Sequence, residues 1–119
     1  MDRNNPIAVL SKSFALRIVK LCKYLREQKK EFVLSKQVLR SGTSIGANIR
    51  ESIYAQSRAD FTSKMSIALK ESSETEYWLE LLHEAEYIDD KSFESIYDDN
   101  CKISATLINI IKKTKESEK

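Results

Sequence analysis

The sequence predicts an all-α protein, an antiparallel up-down-up-down four-helix bundle that takes residues 1–119 as one domain. Three observations carry that expectation. With 2 Gly and 1 Pro in 119 residues, the chain lacks the turn residues that a β-sandwich or barrel needs about every 8–12 positions. Four segments repeat apolar residues at helical spacing, each opened by a capping residue. The connections between them are short, so consecutive helices should run antiparallel. The length suits one domain with a real core.

Asn5 followed by Pro6 forms an N-cap and N1 pair that starts the first helix. Its apolar residues, Ile7, Leu10, Phe14, Ile18, Leu21 and Leu25, fall within an arc of roughly 80° at about 100° per residue. It is expected to end near Lys29 or Lys30. Ser35 reads as the cap of the second helix, with Leu34 and Leu39 as a hydrophobic staple. The inner face of this helix would carry Val38, Gly42, Ile45, Ile49, Ile53 and Gln56.

Both glycines, Gly42 and Gly46, lie inside this second helix. A glycine there costs roughly 1 kcal/mol relative to alanine, so the pair implies close approach of a neighbouring helix. Ala68 and Ser72 of the third helix are small and could oppose Gly42.

The third helix opens on Ser57-Arg58-Ala59-Asp60, a variant of the capping box. Phe61, Met65, Ala68, Ser72, Thr75, Leu79 and Leu82 then alternate spacings of four and three, the pattern of nearly aligned bundle helices. Asp89-Asp90 begins the fourth, with Phe93, Ile96, Ile103, Leu107, Ile110 and Ile111 as its core stripe. Residues 113–119 read as a polar tail that frays.

Two helices carry more face than one core needs. Ile67, Glu71, Glu74, Trp78, Leu81 and Ala85 form a second stripe on the third helix. Arg40, Ser44, Ala47, Asn48 and Glu51 form an outer stripe on the second. A stripe containing Trp78 beside the core fits self-association through these two helices. Wide helices burying more of their own circumference are the alternative. Arg40 is the natural partner of Glu71 or Glu74, within one subunit or between two.

The formal net charge is +2, unevenly distributed. Residues 1–30 hold eight basic side chains against Asp2 and Glu27, whereas residues 57–86 hold three basic and seven acidic ones. On the first helix Lys12, Lys20, Lys23, Arg26 and Lys30 share the side opposite the apolar arc, with Arg17 near its edge. Such a stripe can neutralise phosphates and bind RNA or DNA in a salt-dependent way. It can equally be a solvated face that offsets the acidic third helix. A ring of identical subunits would multiply a short stripe into useful avidity.

Other functions find little support. Cys22 and Cys101 lack C-x-x-C spacing, which fits free thiols in a reducing compartment, and His83 is the single histidine. No zinc site, Ser-His-Asp set or Gly-rich phosphate loop can be assembled, so neither a catalytic site, a cofactor nor a small-molecule substrate is expected. A metal-dependent nuclease would need clustered carboxylates, and those here are scattered or placed to meet arginine. No apolar run of about 18 residues exists to span a membrane. The first residues lack the pattern of a signal peptide. A cytoplasmic location is expected.

Three segments also carry a resemblance: Gln37-Val-Leu-Arg-Ser-Gly-Thr-Ser-Ile-Gly-Ala-Asn-Ile-Arg-Glu51, then Asp60-Phe61, then Lys70-Glu-Ser-Ser-Glu-Thr-Glu-Tyr-Trp-Leu-Glu-Leu-Leu82. With Ser13-Phe14-Ala15, they resemble the bacterial four-helix-bundle family of 23S rRNA-intervening-sequence proteins over about residues 8–112. The accessory variability protein of diversity-generating retroelements is a relative of that family. It is a basic, barrel-like homopentamer that binds nucleic acid together with a reverse transcriptase. The resemblance implies a homo-oligomer, a pentamer by this likeness, with a role involving RNA or DNA. The matching motif residues are Arg40, Ser44, Asn48, Glu51, Glu71 and Glu74. They read as fold and assembly determinants, with the basic residues of the first helix the better phosphate contacts. The alternative function is a scaffold for a protein partner such as a polymerase or reverse transcriptase, without direct nucleic-acid binding.

Overall fold

The computed structural model describes residues 1–117 and shows four helices: α1 (Pro6–Gln28), α2 (Leu34–Ser52), α3 (Arg58–Glu84) and α4 (Asp90–Glu116). There is no strand among the described residues. Each helix packs on its neighbours in the cyclic order α1–α2–α3–α4–α1, with no close backbone approach across a diagonal among the described residues, and the α1–α4 seam is the thinnest. This is the up-down-up-down four-helix bundle. Helices of 27 residues are about 40 Å long, which accounts for overall dimensions of 49 × 22 × 20 Å.

The core follows the sequence stripes closely. Ile7, Phe14, Ile18 and Leu25 of α1 meet Val38, Ile45 and Ile49 of α2, Met65, Ala68, Leu79 and Leu82 of α3, and Ile96, Ile103 and Leu107 of α4. Polar pairs interrupt this apolar interior. Ser72 Oγ donates to Asn100 Oδ1 at 2.9 Å, and Asn100 Nδ2 returns a bond to the Ser72 carbonyl at 3.0 Å. Thr75 Oγ1 and Ser41 Oγ lie 2.9 Å apart across α2 and α3. Such fully paired polar groups penalise any other helix register, where they would be stranded.

Several element ends depart from the sequence expectation. Asn5 caps α1 as expected, accepting from the Ile7 amide at 3.1 Å, and Ser57 and Asp89 cap α3 and α4. Ser35, however, is not the cap of α2. The buried Glu31 carboxylate accepts from the amides of Val33, Leu34 and Ser35 at 3.3, 3.0 and 2.7 Å, while the Ser35 hydroxyl donates back to the Glu31 carbonyl. A carboxylate placed at a helix start satisfies orphan amides and complements the helix dipole, so it displaces a serine cap. At the other end α2 stops at Ser52. Ile53 is therefore only half-buried and Gln56 is exposed, outside the core face assigned to them. The polar tail expected from residue 113 is helical through Glu116, and residues 118–119 lie outside the described residues.

The glycines also face a different neighbour from the one expected. A Cβ on Gly42 would stand 2.8 Å from Cγ1 of Ile18, and one on Gly46 would stand 3.3 Å from the Ser11 carbonyl oxygen. In both cases the nearest atoms belong to α1, and for Gly42 they are those of Ile18 and not of Ala68 or Ser72. The left-handed turns after α1 and α3 fall instead to Lys30 and Glu86, at φ 54° and 67°. The Glu31 amide then returns to the Leu25 carbonyl, and the Tyr87 amide to that of Leu82. Glycine in this chain marks where helices touch, and ordinary residues make the turns.

Candidate nucleic-acid interface

Burying Ile7, Phe14, Ile18 and Leu25 turns the opposite side of α1 to solvent. Lys12, Lys20, Lys23 and Arg26 all lie exposed there, and Lys30, which the sequence pattern placed on the same side, is exposed in the left-handed turn after the helix. Among the described residues none of the five takes part in an ion pair. Their charge is thus available to an anion. Arg17 is placed differently. It lies at the α1–α4 seam and donates to Asp99 Oδ2 at 2.6 Å and to the carbonyl and hydroxyl of Ser95. Its guanidinium holds the thinnest seam of the bundle and is already neutralised.

The basic side is not purely polar. Val9, Leu16 and Val19 are 54%, 56% and 47% exposed on the same outward side. At its end, past Lys30, the Phe32 ring is 55% exposed, with the Arg26 guanidinium carbon 6.0 Å from its centroid. A groove of about 550 Å³ opens there between α1 and the start of α2. Lys23, Arg26, Lys30 and Phe32 line it, with Val19, Cys22 and Leu39 among its apolar residues. Burial pushes the Cys22 thiol up to about 11, a rise that Arg26 opposes and Glu31 adds to. The thiol is therefore protonated and donates to the Ser35 carbonyl at 3.3 Å. It is a packing residue, unsuited to nucleophilic work.

The motif residues of α2 and α3 form one bonded network inside a single chain. Arg40 donates to Glu71 Oε2 at 3.0 Å and to Glu74, whose Oε2 also accepts from Trp78 Nε1 at 2.9 Å. The Trp78 hydrogen bond, followed by Arg40, holds the Glu74 carboxyl below its ordinary value. Its bond to Glu74 first, against the opposing effect of burial and with the charges of Glu71 and Glu74, pushes Arg40 up. The sequence left open whether this pairing joins one subunit or two, and here it joins α2 to α3 of one chain. Trp78 is half-buried and packs on its own core. Ser44 Oγ and Asn48 Nδ2 donate back to the carbonyls of Arg40 and Ser44, Glu51 meets Lys64 at 3.4 Å, and Leu81 is half-buried.

Other titratable side chains of α3 and α4 pair with one another. The His83 ring stacks on Phe93 with centroids 4.1 Å apart and meets Asp90 at 2.7 Å. The Tyr97 phenol donates to Glu76 at 2.6 Å, with Glu80 at 3.0 Å. That bond, with burial, raises the phenol well above its ordinary range. No cluster of three metal-ligating side chains occurs among the described residues, and no described helix is long and apolar enough to cross a membrane. Glu31, Asn100 and Phe32 all escaped the sequence reading. Asn100 had a signal, since Ile96, Asn100, Ile103 and Leu107 keep the four-three spacing of the core stripe.

Comparison with known proteins follows the same lines. The model of the family described as 23S rRNA-intervening sequence protein matches residues 3–109. The chain is also similar to a solved crystal structure, that of a protein of unknown function from the S23 ribosomal protein family of Bacteroides thetaiotaomicron. The two are 60% identical over 89% of this chain and 98% of the other, with a TM-score of 0.88. No curated protein matches the chain.

Proposed function

The chain belongs to the family of 23S rRNA-intervening sequence proteins, and from that membership we propose that it is a non-enzymatic accessory protein that binds RNA or DNA as a cytoplasmic homo-oligomer. The observation that carries this reading is the outward side of α1 and the turn after it, where five basic side chains stand exposed and free of ion pairs among the described residues. Glu71, Glu74, Glu76 and Glu80 of α3 are met by Arg40 and Tyr97, and none of the five basic residues is among their partners. One α1 offers few phosphate contacts. A ring of subunits, five by likeness to the retroelement accessory protein, would repeat the stripe and raise avidity without new chemistry.

Fluorescence anisotropy with labelled RNA and DNA, titrated with salt, tests the reading. Affinity should fall steeply as salt rises, and charge removal at Lys12, Lys20 and Lys23 should weaken binding to every sequence alike. An assembled oligomer that binds neither nucleic acid at low salt would sink it. The exposed Val9, Leu16 and Val19 favour a second reading, because phosphate contact has no use for them. In that reading the same face docks a protein partner, a polymerase or reverse transcriptase, which carries the nucleic-acid chemistry.

A further inference from the structure

We propose that the groove between α1 and the start of α2 receives an unstacked base, so that the basic face of α1 selects single-stranded over double-stranded nucleic acid. This rests on the nucleic-acid reading above and narrows its ligand class. Three observations converge on the groove. Lys23, Arg26 and Lys30, three of the five unpaired basic residues, line one concavity instead of standing on a convex helix. The same concavity holds an exposed aromatic ring, Phe32, with the Arg26 guanidinium near it. The rest of its lining is the apolar Val19, Cys22 and Leu39 together with one carboxylate, Glu27, against the three cations.

A duplex presents phosphates and groove edges, and its base faces are occupied by one another. Phosphate contact alone would leave Phe32 and the apolar lining in water. A single strand can fill the groove with a base against the Phe32 ring while its flanking phosphates meet Lys23, Arg26 and Lys30. That combination of a cationic track and an aromatic platform is how proteins hold single strands without reading their sequence. The volume of about 550 Å³ falls within the roughly 300–1,000 Å³ of small-ligand clefts. Phe32 is exposed, so changing it disturbs no core contact.

Anisotropy with a single-stranded oligonucleotide and the duplex of the same sequence provides the test. The protein should bind the single strand more tightly. Phe32→Ala should weaken single-strand binding by about fivefold to a hundredfold, the loss of one stacked base, and leave duplex binding unchanged. Phe32→Trp should restore it, and Lys12→Gln should weaken both ligands alike. Duplex binding at least as tight as single-strand binding, or an unaffected Phe32→Ala variant, would overturn the proposal while the nucleic-acid reading stands. Binding of neither ligand would overturn both. A smaller particle for Phe32→Ala in light scattering would assign the groove to a second copy of the chain, which also overturns it.

Discussion

Gly42 and Ile18 define the closest approach of α1 and α2: a Cβ on the glycine would lie 2.8 and 2.9 Å from Cγ1 and Cγ2 of the isoleucine. Those atoms sit directly on a stiff β-branched stem, and Ile18 is fully buried, so the side chain has no room to swing away. Gly42→Ala sets about 1–3 kcal/mol of overpacking against about 1 kcal/mol of helix propensity. The net expectation is a loss of roughly 1 kcal/mol, read by urea denaturation. In an Ile18→Ala background these two atoms and Cδ1, 3.1 Å away, are gone, and the same change should become stabilising. A Gly42→Ala protein more stable than its parent would show that this close approach is not needed.

Asn100 and Ser72 test the buried polar layer. Each satisfies the other across α3 and α4, so removing one leaves the other's group unpaired in a dry interior. Asn100→Ala should cost about 1–3 kcal/mol. The joint change Asn100→Leu with Ser72→Ala removes both partners and should recover most of that loss. Equal losses for the single and double changes would place the cost in packing and not in the hydrogen bonds.

The helices were legible in sequence because the apolar spacing that predicts them is also the spacing that buries them. Phe14, Ile18, Ile45, Ile49, Met65, Leu79, Ile103 and Leu107 all sit where their stripes put them. What escaped depends on contacts between elements. The Glu31 carboxylate caps α2 from before the helix, so Ser35, the nearer residue of capping type, took the assignment. Gly42 showed that something must come close, but a single-helix pattern does not say which neighbour. The sequence puts Arg17 nearer the edge of the basic side than Lys20, but only the placement of Asp99 on α4 shows it as a paired cation. Phe32 lies between helices, where no periodicity assigns it a face.

Glu74 gives the α2–α3 seam a dependence on pH. Its carboxyl is more acidic in the folded chain than its ordinary value of 4.5, first through Trp78 and then through Arg40. The stabilisation it contributes is complete above that ordinary value and is lost as pH falls through the lowered folded value. Trp78 is the single tryptophan, so its emission reports the change directly. Acid titration should shift the emission below about pH 4.5 before helicity measured by circular dichroism collapses, and Glu74→Gln should abolish that early step. An unchanged titration in Glu74→Gln would assign the transition to another group. Arg40 itself is about half exposed, and Arg40→Ala should cost less than about 1 kcal/mol.

The outer side of α3 carries the prediction for assembly. Ile67 is exposed, and Trp78 and Leu81 are half-buried about three to four turns further along the same face, while the Arg40–Glu71–Glu74 network bonds the polar groups between them. A second copy covering the apolar part of this strip would remove it from water. Trp78 also packs on its own core, so a change there mixes folding with assembly, whereas Leu81 makes no side-chain hydrogen bond that a polar residue would break. Leu81→Gln, alone and together with Trp78→Gln, should therefore lower the mass measured by light scattering. Circular dichroism of the single variant should remain that of a four-helix bundle. An oligomer of unchanged mass, or a parent protein that is already a monomer, would rule out this strip as the subunit interface.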